Sequence, residues 1–266
     1  MSASPGFSSL QYERVDDIGV LTFTTPERLN AISEARLTEL EAVLSLAEAD
    51  PALRGLILHG GDGQAFCVGL DLDLLDRAFN DLAYFGQVVR RLAGIVARLE
   101  ALPVPTIAAV NGFARAGGFE LTLGCDFLLM ADEARIGDVH TDAGVLPATA
   151  SLRLKRRIGE QQAKAMIWSA RWYSGAEAVA VGLALRSVPR AALRAEALAL
   201  AASMADKPRS CIAANKSVFQ RGVDATLGEG VAIELAVFDH YMASEPHGRE
   251  GYTAFRERRL PAWKRV

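Results

Sequence analysis

Two glycine-bearing turns are the segments of this 266-residue sequence best suited to chemistry. The first is Phe66–Cys67–Val68–Gly69–Leu70–Asp71. The second runs from Asn111–Gly112 through Ala116–Gly117–Gly118 to Glu120. Each is expected to follow a strand and open a helix. A helix start leaves backbone N–H groups without intrahelical acceptors, and its dipole favours negative charge. Two such turns brought together could donate to one oxygen and stabilise charge developing on it. Taken singly, each is also the ordinary use of glycine in a tight turn.

Other chemistries find no pattern. Neither turn fits GxxxxGK[ST] or GxGxxG, and no GxSxG elbow occurs. His59, His140, His240 and His247 are scattered, with no HExxH and no Cys/His cluster, so no metal is expected. Asp71–Leu72–Asp73 is a weak metal signal, better explained as acidic residues at a helix start. Cys67, Cys125 and Cys211 are odd in number and widely spaced, which gives no disulfide framework and fits a reducing compartment.

The elements that must position these turns alternate. Val20–Phe23 reads as a strand ended by Thr25–Pro26. Ser33 can cap a helix to about Ala49, with Leu37, Leu40, Leu44 and Ala47 on one face. Leu53–His59 is a second strand. An amphipathic helix is expected over about Asp81–Ala101, ended by Pro103 and Pro105. Thr106–Val110 is a buried-type strand, a helix opens at Ala116–Gly117–Gly118, and Phe127–Met130 is a further strand. Such a cycle predicts an α/β fold. Later, Ser174 with Glu177 forms a capping box, Leu183–Val188 is a short strand, and helices follow at about 190–205, 208–221 and 225–244. The composition shifts near 190. The chain is therefore divided into residues 1–190, a core with the site, and 191–266, a helical C-terminal subdomain.

Half the residues are hydrophobic and 23% are charged, as in a compact globular protein. The formal charge of −3 argues against nucleic acid as a partner. Arg256, Arg258, Arg259, Lys264 and Arg265 form a local basic patch, either a site for a small anion or a solvated helix face with a frayed tail. No apolar run approaches the ~20 residues of a membrane span. Met1 to Asp17 lacks the apolar stretch of a signal peptide, so the cytoplasm is the expected location and no membrane partner is expected.

Taken together, the two turns resemble those of the crotonase (enoyl-CoA hydratase/isomerase) superfamily. Supporting stretches are Glu27–Arg28–Leu29–Asn30–Ala31–Ile32, Ile107 to Gly112, Gly144–Val145–Leu146–Pro147, Ala176 to Leu183, and Phe255 to Arg259. The resemblance spans about residues 10–260. It implies a spiral of β-β-α units with a helical C-terminal trimerisation region, and a homo-oligomer that is a trimer or a dimer of trimers.

The resemblance also implies a site, residue by residue. The oxyanion N–H groups would belong to Val68 and Gly117. Glu120 falls where family hydratases carry the first of two glutamates that share the added water. Counting back four from Gly144, His140 falls where the second usually stands. Histidine can give and take protons near neutral pH, so His140 either replaces that carboxylate or is a polar loop residue in a site of altered chemistry. Asp138 and Asp142 flank it. The run after Pro147 is Ala148–Thr149–Ala150–Ser151, without the usual glycine pair, and Ala116 stands where glycine is common.

Coenzyme A would be held by carbonyls around Cys67 and Val68, by Arg28 near the phosphates, and by Phe255 and Arg258 reaching in from a neighbouring subunit. Residues about Leu72–Phe85 and Trp168 would line an acyl tunnel. The implied reaction is hydration of a 2-enoyl-CoA thioester through an enolate. Coenzyme A enters as part of the substrate, and no separate cofactor is needed. Two alternatives stay open. One is another crotonase reaction: isomerisation, decarboxylation or C–C hydrolysis. The other is a non-catalytic CoA- or RNA-binding relative.

Overall fold

The computed structural model describes residues 6–263; Lys264 and Arg265 of the basic patch and the first five residues of the N-terminal lead-in lie outside them. The chain opens with an antiparallel pair, β1 (Leu10–Val15) and β2 (Ile18–Phe23). Helix α1 (Glu34–Ala49) follows, and the Ser33 hydroxyl accepts from the Arg36 N–H at its start. Two strands come next, β3 (Gly55–His59) and β4 (Ala65–Cys67), then two helices, α2 (Leu72–Asn80) and α3 (Leu82–Ala101). The cycle repeats as β5 (Thr106–Val110), β6 (Phe113–Arg115) and α4 (Gly117–Leu123). It repeats again as β7 (Phe127–Ala131), β8 (Arg135–Gly137) and α5 (Ala150–Trp168), the last broken at Gly159. A shorter unit ends the series: β9 (Tyr173–Ser174), α6 (Gly175–Ala180) and β10 (Arg186–Val188).

From β3 onward the strands of each unit divide between two sheets. The larger sheet has the order β1-β2-β3-β5-β7-β10 and is parallel from β2 onward. The smaller has the order β4-β6-β8-β9. From β3 to β8 each turn of the chain adds one parallel strand to each sheet and returns through a helix, whereas β1 pairs antiparallel with β2 and β9 antiparallel with β8. This is the expected β-β-α spiral. The strands β3 and β5 are buried along their whole length, as the near-continuous apolar runs of a two-sided parallel sheet require.

Four C-terminal helices follow: α7 (Arg190–Ala205), α8 (Arg209–Arg221), α9 (Leu227–Ser244) and α10 (His247–Glu257). Helix α7 packs on β3, β5 and β7 and buries Leu193, Ala197 and Ala201. The boundary drawn at 190 thus falls before a helix that belongs to the packing of the core sheet. Helices α8 and α9 bury no residue fully within the chain, and Phe219, Leu227, Leu235 and Phe238 are exposed on them. Among the described residues no helix is long and apolar enough to cross a membrane.

Candidate active site

Two asparagines fasten the loops around the site. Asn30 is fully buried, and its Nδ2 donates to the Gly60 and Ala65 carbonyls at 2.8 and 2.9 Å. Asn111 Nδ2 donates to the Gly61 and Gly63 carbonyls, both at 3.0 Å. Each side chain satisfies two turn carbonyls that a buried loop would otherwise leave unpaired. The ends of β4 and β6 are thereby held side by side, and the two glycine turns that follow them lie against each other.

How close they lie is set by glycine. A Cβ on Gly118 would stand 2.0 Å from the Cys67 carbonyl oxygen, so the start of α4 touches the end of β4 directly. Gly69 has φ +95°, and a Cβ there would meet the Ala116 Cβ at 2.8 Å and the Gly117 nitrogen at 3.1 Å. Ala116 itself sits at φ 47° and ψ −127°, a conformation that glycine adopts without strain and alanine does not. Ala116→Gly is accordingly expected to raise stability by about 1 kcal/mol, the strain relieved less the entropy glycine brings to the unfolded chain. A denaturant midpoint unchanged or lowered in that variant would contradict the strained assignment.

The turns face a cavity of about 780 Å³ whose lining includes Val68, Leu70, Gly117, Glu120 and His140. A parallel bridge ties Leu70 to Ile32: Ile32 N–H donates to the Gly69 carbonyl at 2.7 Å, and Asp71 N–H donates to the Ile32 carbonyl at 3.0 Å. That pairing uses the groups on either side of Leu70. The Leu70 N–H has no acceptor among the described residues. Gly117 opens α4, where the helix cannot supply an acceptor for its N–H.

Glu120, in the first turn of α4, is buried, and its Oε1 accepts from the Thr149 N–H at 2.8 Å. Burial pushes its carboxyl above the usual range, opposed by the Thr149 N–H and by the charge of His140. The segment Ala148–Thr149–Ala150, which lacks the expected glycine pair, thus still supplies a backbone donor to the buried carboxylate.

His140 follows β8 and precedes a single 3-10 turn, Thr141–Ala143. Its Nδ1 lies 2.9 Å from Asp138 Oδ1, which also accepts from the His140 N–H at 3.0 Å. Thr141 Oγ1 donates to the Ile167 carbonyl at 2.7 Å and ties this loop to α5. Burial alone would lower the imidazole pKa. The hydrogen bond to Asp138 and the negative charges of Asp138 and Glu120 outweigh it and raise the pKa above 6.5.

The sequence matches the enoyl-CoA hydratase/isomerase family over residues 13–265. The chain belongs to the enoyl-CoA hydratase/isomerase family. It is 33% identical over 256 residues to a Mycobacterium bovis protein described as a probable enoyl-CoA hydratase, covering 96% of this chain and 97% of that one. It is 29% identical to crotonyl-CoA hydratase of Syntrophomonas wolfei, over 95% of this chain and 96% of that one. It superposes on the crystal structure of enoyl-CoA hydratase from Bacillus anthracis with a TM-score of 0.91, at 29% identity, covering 97% of this chain and 99% of that one.

The remaining expected site residues of this family member divide. Arg28 lines the cavity, but its guanidinium is paired with Asp71 at 2.9 Å and Asp73 at 2.8 Å. Asp71 also caps α2, which explains the acidic pair there without a metal. Cys67 is fully buried, does not line the cavity, and turns its carbonyl to Gly118; burial pushes its thiol up to about 11. Phe255 and Arg258, at the end of α10, are exposed and lie outside the cavity of their own chain.

For the tunnel, Leu72, Leu75, Phe79 and Phe85 line the cavity as expected. Trp168 does not. It is exposed under the Lys164 ammonium, and Trp172, beyond the end of α5, lines the cavity instead. Two features were missed in sequence. Leu70 offers no side-chain signal for a backbone donor. Arg115 lines the cavity and pairs with no carboxylate among the described residues; its Nε donates to the Val68 carbonyl at 3.3 Å. It ends a strand of three residues, too short for its alternation to mark Arg115 in sequence as outward-facing.

Proposed function

We propose that this chain adds water to a 2-enoyl-CoA thioester. The observation that carries the reading is the presence of Glu120, His140 and the N–H groups of Leu70 and Gly117 on one cavity. The thioester oxygen would sit between the two N–H groups, and the enolate charge that develops there would be stabilised by about 2.7–4 kcal/mol per donor. This reading moves the first donor from Val68 to Leu70, because the Ile32 bridge leaves the Leu70 N–H unpartnered.

The proton roles follow from electrostatics. Glu120 and His140 attract each other in their charged forms, so between their two pKa values the carboxylate faces an imidazolium. Glu120 then takes a proton from water as the oxygen bonds to the β-carbon. The imidazolium gives a proton to the α-carbon as the enolate collapses. Turnover is expected to fall as pH drops through the raised Glu120 pKa, and again as pH rises through the His140 pKa above 6.5. Nothing in this sequence of steps moves an electron to or from a cofactor.

Arg115, with Arg28 beside it on the lining, is the proposed contact for coenzyme A phosphates. The exposed apolar residues of α8 and α9 support a homo-oligomer, a trimer or a dimer of trimers, in which Phe255 and Arg258 would reach a neighbour's site. The widely spaced cysteines support a cytoplasmic location.

The test is a panel of short- to long-chain trans-2-enoyl-CoA substrates followed by loss of enoyl-thioester absorbance. Formation of 3-hydroxyacyl-CoA supports hydration. Thioester binding without hydration would turn the assignment to isomerisation, decarboxylation or C–C hydrolysis. The histidine in place of a second carboxylate is the observation that keeps those reactions in view.

A further inference from the structure

Asp138 stands apart from the other acidic residues of the chain. It is fully buried, and the groups that donate to it are the backbone N–H and the ring Nδ1 of a single residue, His140. Its second oxygen, Oδ2, is buried without a hydrogen-bond partner among the described residues. A buried carboxylate is costly to keep charged unless an opposite charge or donors compensate it. Among the described residues no Lys or Arg forms an ion pair with it, and the compensating cation within reach is the imidazolium itself.

The geometry fixes more than charge. A carboxylate only accepts hydrogen bonds, so the ring nitrogen beside Asp138 carries the proton, and Nε2 is left as the nitrogen without a partner among the described residues, on a side chain that lines the cavity. The backbone bond to the same carboxylate oxygen prevents Asp138 from swinging away without releasing the His140 main chain. The next residue, Thr141, is itself tied to α5 through its hydroxyl. The ring is thereby fixed at both ends of its loop.

We infer that Asp138 is a positioning residue: it holds the Nδ1–H of His140 so that Nε2–H is presented to the cavity as the proton donor for the α-carbon. The donor role rests on the hydration reading; the orientation of the ring does not. In the step itself, Nε2 gives its proton to the α-carbon while the enolate electrons form the new C–H bond and the thioester carbonyl re-forms. His140 is left neutral with its remaining proton on Nδ1, facing Asp138. Glu120, protonated by the attacking water, returns that proton through solvent, and His140 regains one, so the cycle closes with one water added.

Charged groups around the ring come from four segments of the chain. Glu120 on α4 and Asp138 after β8 act on it electrostatically. Asp142 of the 3-10 turn and Arg115 of β6 also line the cavity. Removing the Asp138 charge leaves burial as the leading influence on the ring, which favours the neutral form.

The experiment is a nitrogen-15 titration of the histidine rings in wild-type protein and in Asp138→Asn, with His140→Gln to assign the resonance, followed by pH–rate profiles. The wild-type ring is expected to titrate above 6.5 and to keep Nδ1–H when neutral. In Asp138→Asn its midpoint should move to lower pH, and the alkaline limb of kcat should move acidward with it. The loss of kcat should not exceed the ~10²- to 10⁴-fold that losing the acid itself costs, and adding Asp138→Asn to His140→Gln should change kcat no further. A neutral wild-type ring protonated on Nε2 would overturn the inference without any variant. So would an unchanged midpoint in Asp138→Asn. If no enoyl-CoA is hydrated, the hydration reading fails, while the titration still decides what Asp138 does to His140.

Discussion

Glu120→Gln is expected to lower kcat for enoyl-CoA hydration by about 10²- to 10⁴-fold, the usual contribution of a general base, while thioester binding stays within a few-fold of wild type. The substitution keeps the shape of the side chain and an oxygen for the Thr149 N–H, now 2.8 Å from Glu120 Oε1. It removes only the ability to take a proton from water. Stability should not fall, because the carboxylate is a buried charge whose ionised form is already disfavoured by burial. The acid limb of the pH–rate profile should vanish with it, since the group that must lose its proton is gone. Isothermal titration with a saturated acyl-CoA and stopped-flow assay with the enoyl-CoA separate the two effects. Near-normal turnover in this variant would remove Glu120 from the chemistry.

The second large effect concerns no ionisable group. Gly118→Ala puts a Cβ 2.0 Å from the Cys67 carbonyl oxygen and 2.6 Å from its carbon, both backbone atoms that cannot rotate away. Helix α4 and strand β4 must separate, and α4 carries Gly117 and Glu120 while β4 leads into Leu70. Overpacking of this kind costs about 3 kcal/mol. A displacement of about 1 Å between an oxyanion donor and the base is enough for roughly 10²-fold in rate. The variant is therefore expected to lose both stability and at least that much turnover. Gly94→Ala is the matched control: Gly94 lies inside α3 with nothing near the added methyl, and alanine there should stabilise by up to about 1 kcal/mol. A stable, active Gly118→Ala protein would show that the two turns do not need this contact.

The Gly118 prediction depends on backbone approach, and this is where sequence and structure part. Long elements were legible. Ser33 caps α1, Ser174 and Glu177 close a capping box, Thr106–Val110 is a strand, and α7 begins where expected. These features repeat over many residues or rest on local capping chemistry, so a window of sequence contains them. Helix α5 was not anticipated, because Gly159 breaks it and its apolar positions are sparse among charges. Strands β6 and β8 have three residues each, too short for alternation to register.

The site divides in the same way. Family resemblance marked Glu120, His140 and Gly117 by position, and all three line the cavity. The side-chain chemistry of an acid or base is written in the residue type. A backbone donor is not, since every residue but proline has one. Leu70 stands out only because Ile32, far away in sequence, pairs with its neighbours and leaves its N–H over. Arg28 was legible as a cation, but not the fact that Asp71 and Asp73 already share its charge. Asp138 was visible as a neighbour of His140; its complete burial, which makes the imidazole its counter-charge, was not. The sequence by itself determined the units of the spiral and the titratable groups of the site. Tertiary packing decided which N–H groups are free and which charges are already paired, because both depend on contacts between segments that no local window holds together.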